Sequence, residues 1–193
     1  SGNGVWDLRG VRPWSEVCAE AKKAGRKAHV GNVFGICVEK NAELKKSDKR
    51  RKFKGRYVYQ GNRVFDEYSE AALFNQLGSS PATLEGAKAV DAYGSLRGHV
   101  LQQADADQAY TQALMGEETP AGVRGNPTPC RVKTTTWVRL PPECRPPNWG
   151  NIRDPVAPLV RALYGHPDAG GDWERHCDAR LRKIGFEPAA ENW

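Results

Sequence analysis

Two strand-prone runs, HVGNVFGICV at 29–38 and FKGRYVYQG in the stretch 53–61, flank the cation-rich segment EKNAELKKSDKRRK. Val, Ile, Phe and Tyr suit a pleated, half-buried surface, and a polar stretch between two such runs favours chain reversal. The predicted unit is a β-hairpin with a long tip, cationic along its tip and second strand. Between Ala21 and Arg63 stand fourteen Lys or Arg against Glu39, Glu43 and Asp48, a local net charge of +11. The whole chain carries +6, which leaves −5 for the remainder: a basic front on an acidic back. A solvated loop is the bland reading of such a tip. Interleaving of Lys54 and Arg56 with Phe53, Tyr57 and Tyr59 supports the other reading, because aromatic faces and cations together suit bases and phosphates.

With 193 residues, the chain is long enough for one domain with a real core or for a piece of a larger protein. It opens SGNGVW without an initiator Met and stops at ENW, so both ends are expected to be cut edges. No apolar run reaches the length of a membrane span and no leader pattern stands at the start, so the expectation is an intracellular chain with no membrane partner. Five cysteines at 18, 37, 130, 144 and 177 contain no Cys-x-x-Cys pair, which argues against a disulfide framework or a structural zinc site. Cys177 beside His176 is the nearest approach to a ligand pair, but adjacent helical residues point apart. One surface His and one buried thiol are expected there.

Further along, residues 60–83 lack a clear period. Thr83 is a plausible N-cap for a helix with Leu84, Ala87, Val90 and Tyr93 at three-residue steps, ended with the help of Gly94 and Gly98. HVLQQADA is a candidate strand, and DQAYTQALMG a short helix with Tyr110, Ala113 and Leu114 on one face and Gly116 closing it. From Glu117 to Pro158 stand nine of the thirteen prolines, and only TTTWVRLP there has strand character. PDAGG reads as a turn before a last helix through Trp173, Cys177, Leu181 and Ile184, with Gly185 as its stop.

Asp105 and Asp107 sit at the predicted strand-to-helix junction. An Asp at a strand end beside cations can hold Mg²⁺ against a triphosphate, hard oxygen ligands on a hard ion. On a continuing strand both side chains would face one side; if the helix begins at Asp107, that carboxylate is a cap instead. The residues leave both readings open.

Read in order, several blocks resemble the reverse transcriptase of copia-type LTR retrotransposons, from about Val5 to Asn192. VWDLRGV is similar to the family's Trp-containing opening. FKGRYVYQG resembles the fingers motif Tyr-Lys-Ala-Arg-Leu-Val-Ala-Lys-Gly, with Lys54, Arg56, Val58 and Gly61 in register. SPATLEGAKAV resembles Ser-Pro-Val and its helix, QADADQAYTQA resembles Gln-x-Asp-Val-x-x-Ala-Phe-Leu-x-Gly, and RLPPE resembles Gln-Pro-Pro-Gly. RALYGHPDAGGDWERHCDARLRKIGFEPA is similar to Leu-Tyr-Gly-Leu-Lys-Gln-Ala-Pro-x-x-Trp and the helix after it.

The resemblance implies an α+β fold: a polymerase fingers β-hairpin in a basic segment 1–83, then a partial palm of antiparallel strands and packed helices in 84–193. It implies Asp105 as the first catalytic aspartate and, with the Ala106 carbonyl, a ligand of the two Mg²⁺ ions of a polymerase. Gln108 and Ala109 would lie by the incoming triphosphate, Tyr110 would exclude a 2′-hydroxyl, and Lys54 and Arg56 would grip the β- and γ-phosphates. Partners would be an RNA or DNA template-primer, dNTPs and the remainder of a Pol polyprotein, in a cytoplasmic retrotransposon particle or the nucleus.

Departures from the family pattern accompany these matches. Asp168 and Gly170 replace the family's Gln and Pro, which touch nucleotide and template. An irregular, Pro-rich stretch at about 117–136 is longer than the family's link and reads as an insertion. The Tyr-x-Asp-Asp that supplies the other carboxylates is expected beyond Trp193. Two alternatives stand beside the polymerase fragment: a non-catalytic basic nucleic-acid-binding module, and a decayed retroelement relic.

Overall fold

The expected hairpin is the longest feature of the computed structural model, which describes residues 4–74, 83–116 and 134–188. Strands β2 (Ala28–Lys40) and β3 (Lys52–Phe65) pair antiparallel from Val30↔Phe65 to Lys40↔Lys52, beyond the ends of the apolar runs that announce them. Their register slips between Gly31 and Val33, a bulge that bends the ribbon as it leaves the sheet. At the far end Asn41 takes a left-handed φ of 57° and its side-chain amide donates to the Arg50 carbonyl, which closes the tip.

Three short strands complete a mixed α+β architecture: β1 (Arg12–Pro13), β4 (Thr135–Arg139) and β5 (Pro155–Pro158), in the order β1-β5-β4-β2-β3. The sheet draws on both halves of the chain. An all-antiparallel set of palm strands was the expectation, yet β4 runs parallel to β2, with Ala28 opposite Thr135 and Asn32 opposite Arg139. A parallel neighbour needs a long crossover, and the stretch between β3 and β4 provides one. Pro155 opens β5 and Pro158 ends it, so each missing N–H falls at a strand limit.

Helix α1 (Trp14–Ala24) is an element that sequence reasoning passed over. Its signal was present: Trp14, Val17, Cys18 and Ala21 follow helical spacing, and Gly25 ends the helix with a φ of 60°. Trp14, Val17 and Ala21 are buried against Ala28, Val30, Trp137 and Val156. Each large side chain so covered contributes on the order of 2 kcal/mol. A second cluster, around Val33, Tyr59, Val138, Leu140, Trp149 and Leu163, fills the other part of the core.

Helix α2 (Leu84–Gly94) forms where predicted, and the Thr83 hydroxyl accepts the Gly86 N–H at 3.0 Å. It buries none of its residues. HVLQQADA is not a strand. Residues 99–106 are irregular and exposed, with no ladder partner among the described residues, and a strand without a neighbour leaves its backbone groups to water. Helix α3 (Ala109–Gln112) is a single turn, and Gly116, with a φ of 63°, follows it. Helix α4 (Ala169–Lys183) begins inside PDAGG, so Gly170 and Gly171 lie in its first turn rather than in a turn before it; Gly185 stops it with a φ of 93°. Of the expected insertion, 117–133 lies outside the described residues, while Thr135 and Thr136 already belong to β4. Among the described residues, no helix is long and apolar enough to cross a membrane.

Candidate functional site

Cross-strand partners share a face of a two-stranded ribbon, so the β2–β3 register sorts the outer half of the hairpin into two surfaces. On one, Phe34, Ile36 and Val38 stand opposite Val58, Arg56 and Lys54, and Lys40 stands opposite Lys52. This is an apolar row beside a cationic row. Phe34, Ile36 and Val38 are 42%, 41% and 55% exposed, and Lys52, Lys54 and Arg56 are exposed with them. Among the described residues, no core cluster includes the apolar row. The opposite surface carries Cys37, Phe53 and Tyr57; the Tyr57 hydroxyl lies 3.0 Å from the Cys144 sulfur, and its ring meets Trp6 edge-on.

Where the ribbon meets the body, the turn Tyr164–Gly165 docks on β3. The Tyr59 N–H donates to the Tyr164 carbonyl at 2.7 Å. A Cβ on Gly61 would strike the Gly165 carbonyl, and one on Gly165 would strike the Tyr59 carbonyl, so the two backbones touch only because both residues are glycine. Tyr164 is thereby fixed between two candidate residues. The Arg56 guanidinium lies 6.0 Å from its ring centroid, and the Tyr110 ring packs edge-on against it at 4.7 Å. Arg56, Tyr164 and Tyr110 come from three separate sequence blocks and form one continuous stack.

Of the remaining candidates, Lys54 stands next along the same face of β3, further out on the arm. Gln108 and Ala109 open α3: Gln108 sits in the left-handed region at φ 50°, a strained conformation for a residue with a Cβ, and Ala109 is the first helical residue. Asp107 does not cap α3; Gln108 holds that position, while the Asp107 carbonyl accepts from the Gln112 side chain. Asp105 and Ala106 lie on the exposed irregular segment rather than at a strand end. Asp168 is the N-cap residue of α4 and Gly170 its second residue, both half-buried on the body.

A hard divalent cation takes about six oxygen ligands. Asp105, Ala106 and Asp107 follow one another on the exposed segment before α3. Among the described residues, no three His, Cys, Asp or Glu side chains gather as a metal-binding group. Cys177 and His176 occupy adjacent positions on α4, where the His176 ring stacks on Trp173 with centroids 5.9 Å apart.

Beneath the stack lies a buried polar cluster that sequence reasoning missed. His166 packs against Tyr59 at 4.8 Å and Phe74 at 5.6 Å, and Phe74 in turn meets His29 at 5.1 Å. Burial disfavours the imidazolium, so the His166 pKa falls to about 3, with a smaller push from His29. His29 is lowered as well, first by burial, and burial pushes the Tyr59 phenol up. The Tyr59 hydroxyl is buried without a hydrogen-bond partner among the described residues. These groups belong to the support of the site, since His29, Tyr59 and His166 are buried and Phe74 is half-buried between them.

Compared with protein-family models, curated proteins and solved structures, the chain matches none. The class defined by fold and site is a mixed α+β chain that presents a cationic hairpin arm and an aromatic–arginine stack at its base.

Proposed function

We propose that this chain is the fingers and partial palm of a copia-type RNA-directed DNA polymerase, part of a longer Pol protein that carries out Mg²⁺-dependent, template-directed DNA synthesis. The observation that carries the reading is the stack Arg56–Tyr164–Tyr110. The blocks FKGRYVYQG, QADADQAYTQA and RALYGHPD resemble the family one by one, and the fold brings them to one place. An Arg beside a Tyr that carries on into an Asp-bearing segment suits an incoming nucleotide: the guanidinium for phosphate, the ring as a steric wall at the sugar. Lys54, Gln108 and Ala109 extend that surface. Mg²⁺, when bound, would supply charge stabilisation at the phosphates, and the Asp105 carboxylate and Ala106 carbonyl would hold one side of it.

A second reading, a non-catalytic nucleic-acid-binding module, is favoured by the outer arm. The row Phe34, Ile36 and Val38 offers apolar contact to bases, and Lys52, Lys54 and Arg56 run beside it at a spacing suited to phosphates.

Both readings expect binding to an RNA–DNA template-primer that weakens steeply with salt. Fluorescence anisotropy across a salt series should show Lys54→Ala and Arg56→Ala each lowering the log–log slope by about 1. They part at Asp105. If added dNTP and Mg²⁺ tighten the template-primer complex and Asp105→Ala abolishes that gain, the polymerase reading holds; binding indifferent to Asp105 favours the module. This chain alone is expected to extend no primer, and extension lost on Asp105→Ala would overturn the idea of an incomplete metal site.

A further inference from the structure

We infer that an open cleft between α3 and α4, apart from the stack, binds a polyphosphate-bearing small ligand. The cleft measures about 670 Å³, and its walls include Arg161, His176, Arg180, Gln108 and Gln112, with Asp107 as the one carboxylate. That volume lies within the range of small-ligand sites, roughly 300–1,000 Å³, and is large enough for a nucleotide. Tyr110 is not among the walls, because its ring turns onto Tyr164.

Charge and preorganisation argue for phosphate. One terminal nitrogen of Arg161 donates to the carbonyls of Thr111 and Gln112 at 3.2 and 2.9 Å, which locks the planar fork in place. Its other nitrogens make no hydrogen bond or ion pair among the described residues. A fork held this way loses little freedom when it binds an anion. Across the cleft, His176 and Arg180 stand one turn apart on the same face of α4. The neighbouring arginines of that helix are paired, Arg175 with Asp172 and Arg182 with Asp178. Arg180 has no such pair among the described residues. Two arginines and an imidazole around a polar cleft suit several phosphate groups at once better than one carboxylate.

The assignment does not depend on the polymerase reading and is tested without Mg²⁺. The whole chain is titrated in EDTA with ATP and, separately, with inorganic tripolyphosphate, by calorimetry and by tryptophan fluorescence, since Trp173 stacks on His176. Saturable binding of both is expected, retained at the cleft in Lys54→Ala/Arg56→Ala and weakened about tenfold or more in Arg180→Glu, the effect of losing a charge-assisted hydrogen bond. Arg180 is exposed, so that variant keeps the fold. Arg161→Lys retains charge but loses the anchored fork, and is expected to weaken binding as well. ATP binding without tripolyphosphate binding would overturn the polyphosphate assignment. So would no saturable binding, or binding that survives Arg180→Glu and disappears in Lys54→Ala/Arg56→Ala.

Discussion

Strand β2 passes through two environments. From Ala28 to Val33 every residue except Asn32 is buried; from Phe34 to Lys40 none is. Val occurs in both halves, and Phe34 and Ile36 stand in the exposed one, so apolar composition does not separate core from surface. Neighbours do. The inner half has β3 on one edge and β4 on the other, with α1 packed against Ala28 and Val30. The outer half has β3 alone. The same residue chemistry therefore makes core at the root of the ribbon and exposed surface on its arm, and what decides is contact with segments remote in sequence.

Glycine substitutions break this comparison most sharply. A Cβ on Gly31, at the root, would overlap the Tyr59 ring, itself buried and closely packed. Gly31→Ala is expected to cost about 3 kcal/mol in urea denaturation, the upper range for overpacking a core. Gly55, on the arm, has open space where a Cβ would go. Gly55→Ala should change stability by no more than about 0.5 kcal/mol, and in the stabilising direction, because it stiffens the unfolded chain. Equal losses for the two would mean that the arm is packed as the root is.

Acid tests the same root from another side. The His166 pKa is about 3 in the folded chain, below the value near 6.5 of an exposed imidazole. Between those values the unfolded chain binds the extra proton, so stability falls as pH falls through the window from about 6.5 to about 3, by at most about 1.4 kcal/mol per pH unit for one such group. Above that window the contribution is fully present. His166→Gln should flatten the wild-type curve of stability against pH between 6.5 and 4 while leaving intact the salt-dependent binding proposed for the arm. An unchanged slope would show that His166 is open to water.

How far the sequence disclosed this organisation depended on how local each signal was. The hairpin, the Thr83 cap, β4 and the Gly185 stop of α4 were legible, because period, cap chemistry and positive φ act within a few residues; the helix expected to run on to Gly116 instead ends at Gln112, with Ala113 already extended. The parallel β2–β4 pairing was not, since it joins residues about a hundred positions apart. The strand expected at HVLQQADA failed for a related reason: its residues favour extension, but no neighbour among the described residues pairs with them. At the candidate site, Arg56 and Tyr110 were legible as types. Tyr164, which joins them, carries no local signal of its role, and only the docking of Gly165 on β3 reveals it.

Helix α2 extends the contrast to its weakest case. It has a proper cap, yet Leu84, Val90 and Tyr93 are 65%, 48% and 63% exposed, and none of its residues is buried. Its stability must then come from propensity and capping, which for eleven residues is marginal in water. Thr83→Ala removes the bond to the Gly86 N–H and should cost about 1 kcal/mol of local helix stability. Because little of the core depends on α2, that loss should appear in amide exchange of residues 86–94 and leave the global denaturation midpoint unmoved. A midpoint that shifts with Thr83→Ala would mean that α2 is coupled to the sheet, and that the boundary between packed root and exposed surface lies further out than the burial pattern of β2 implies.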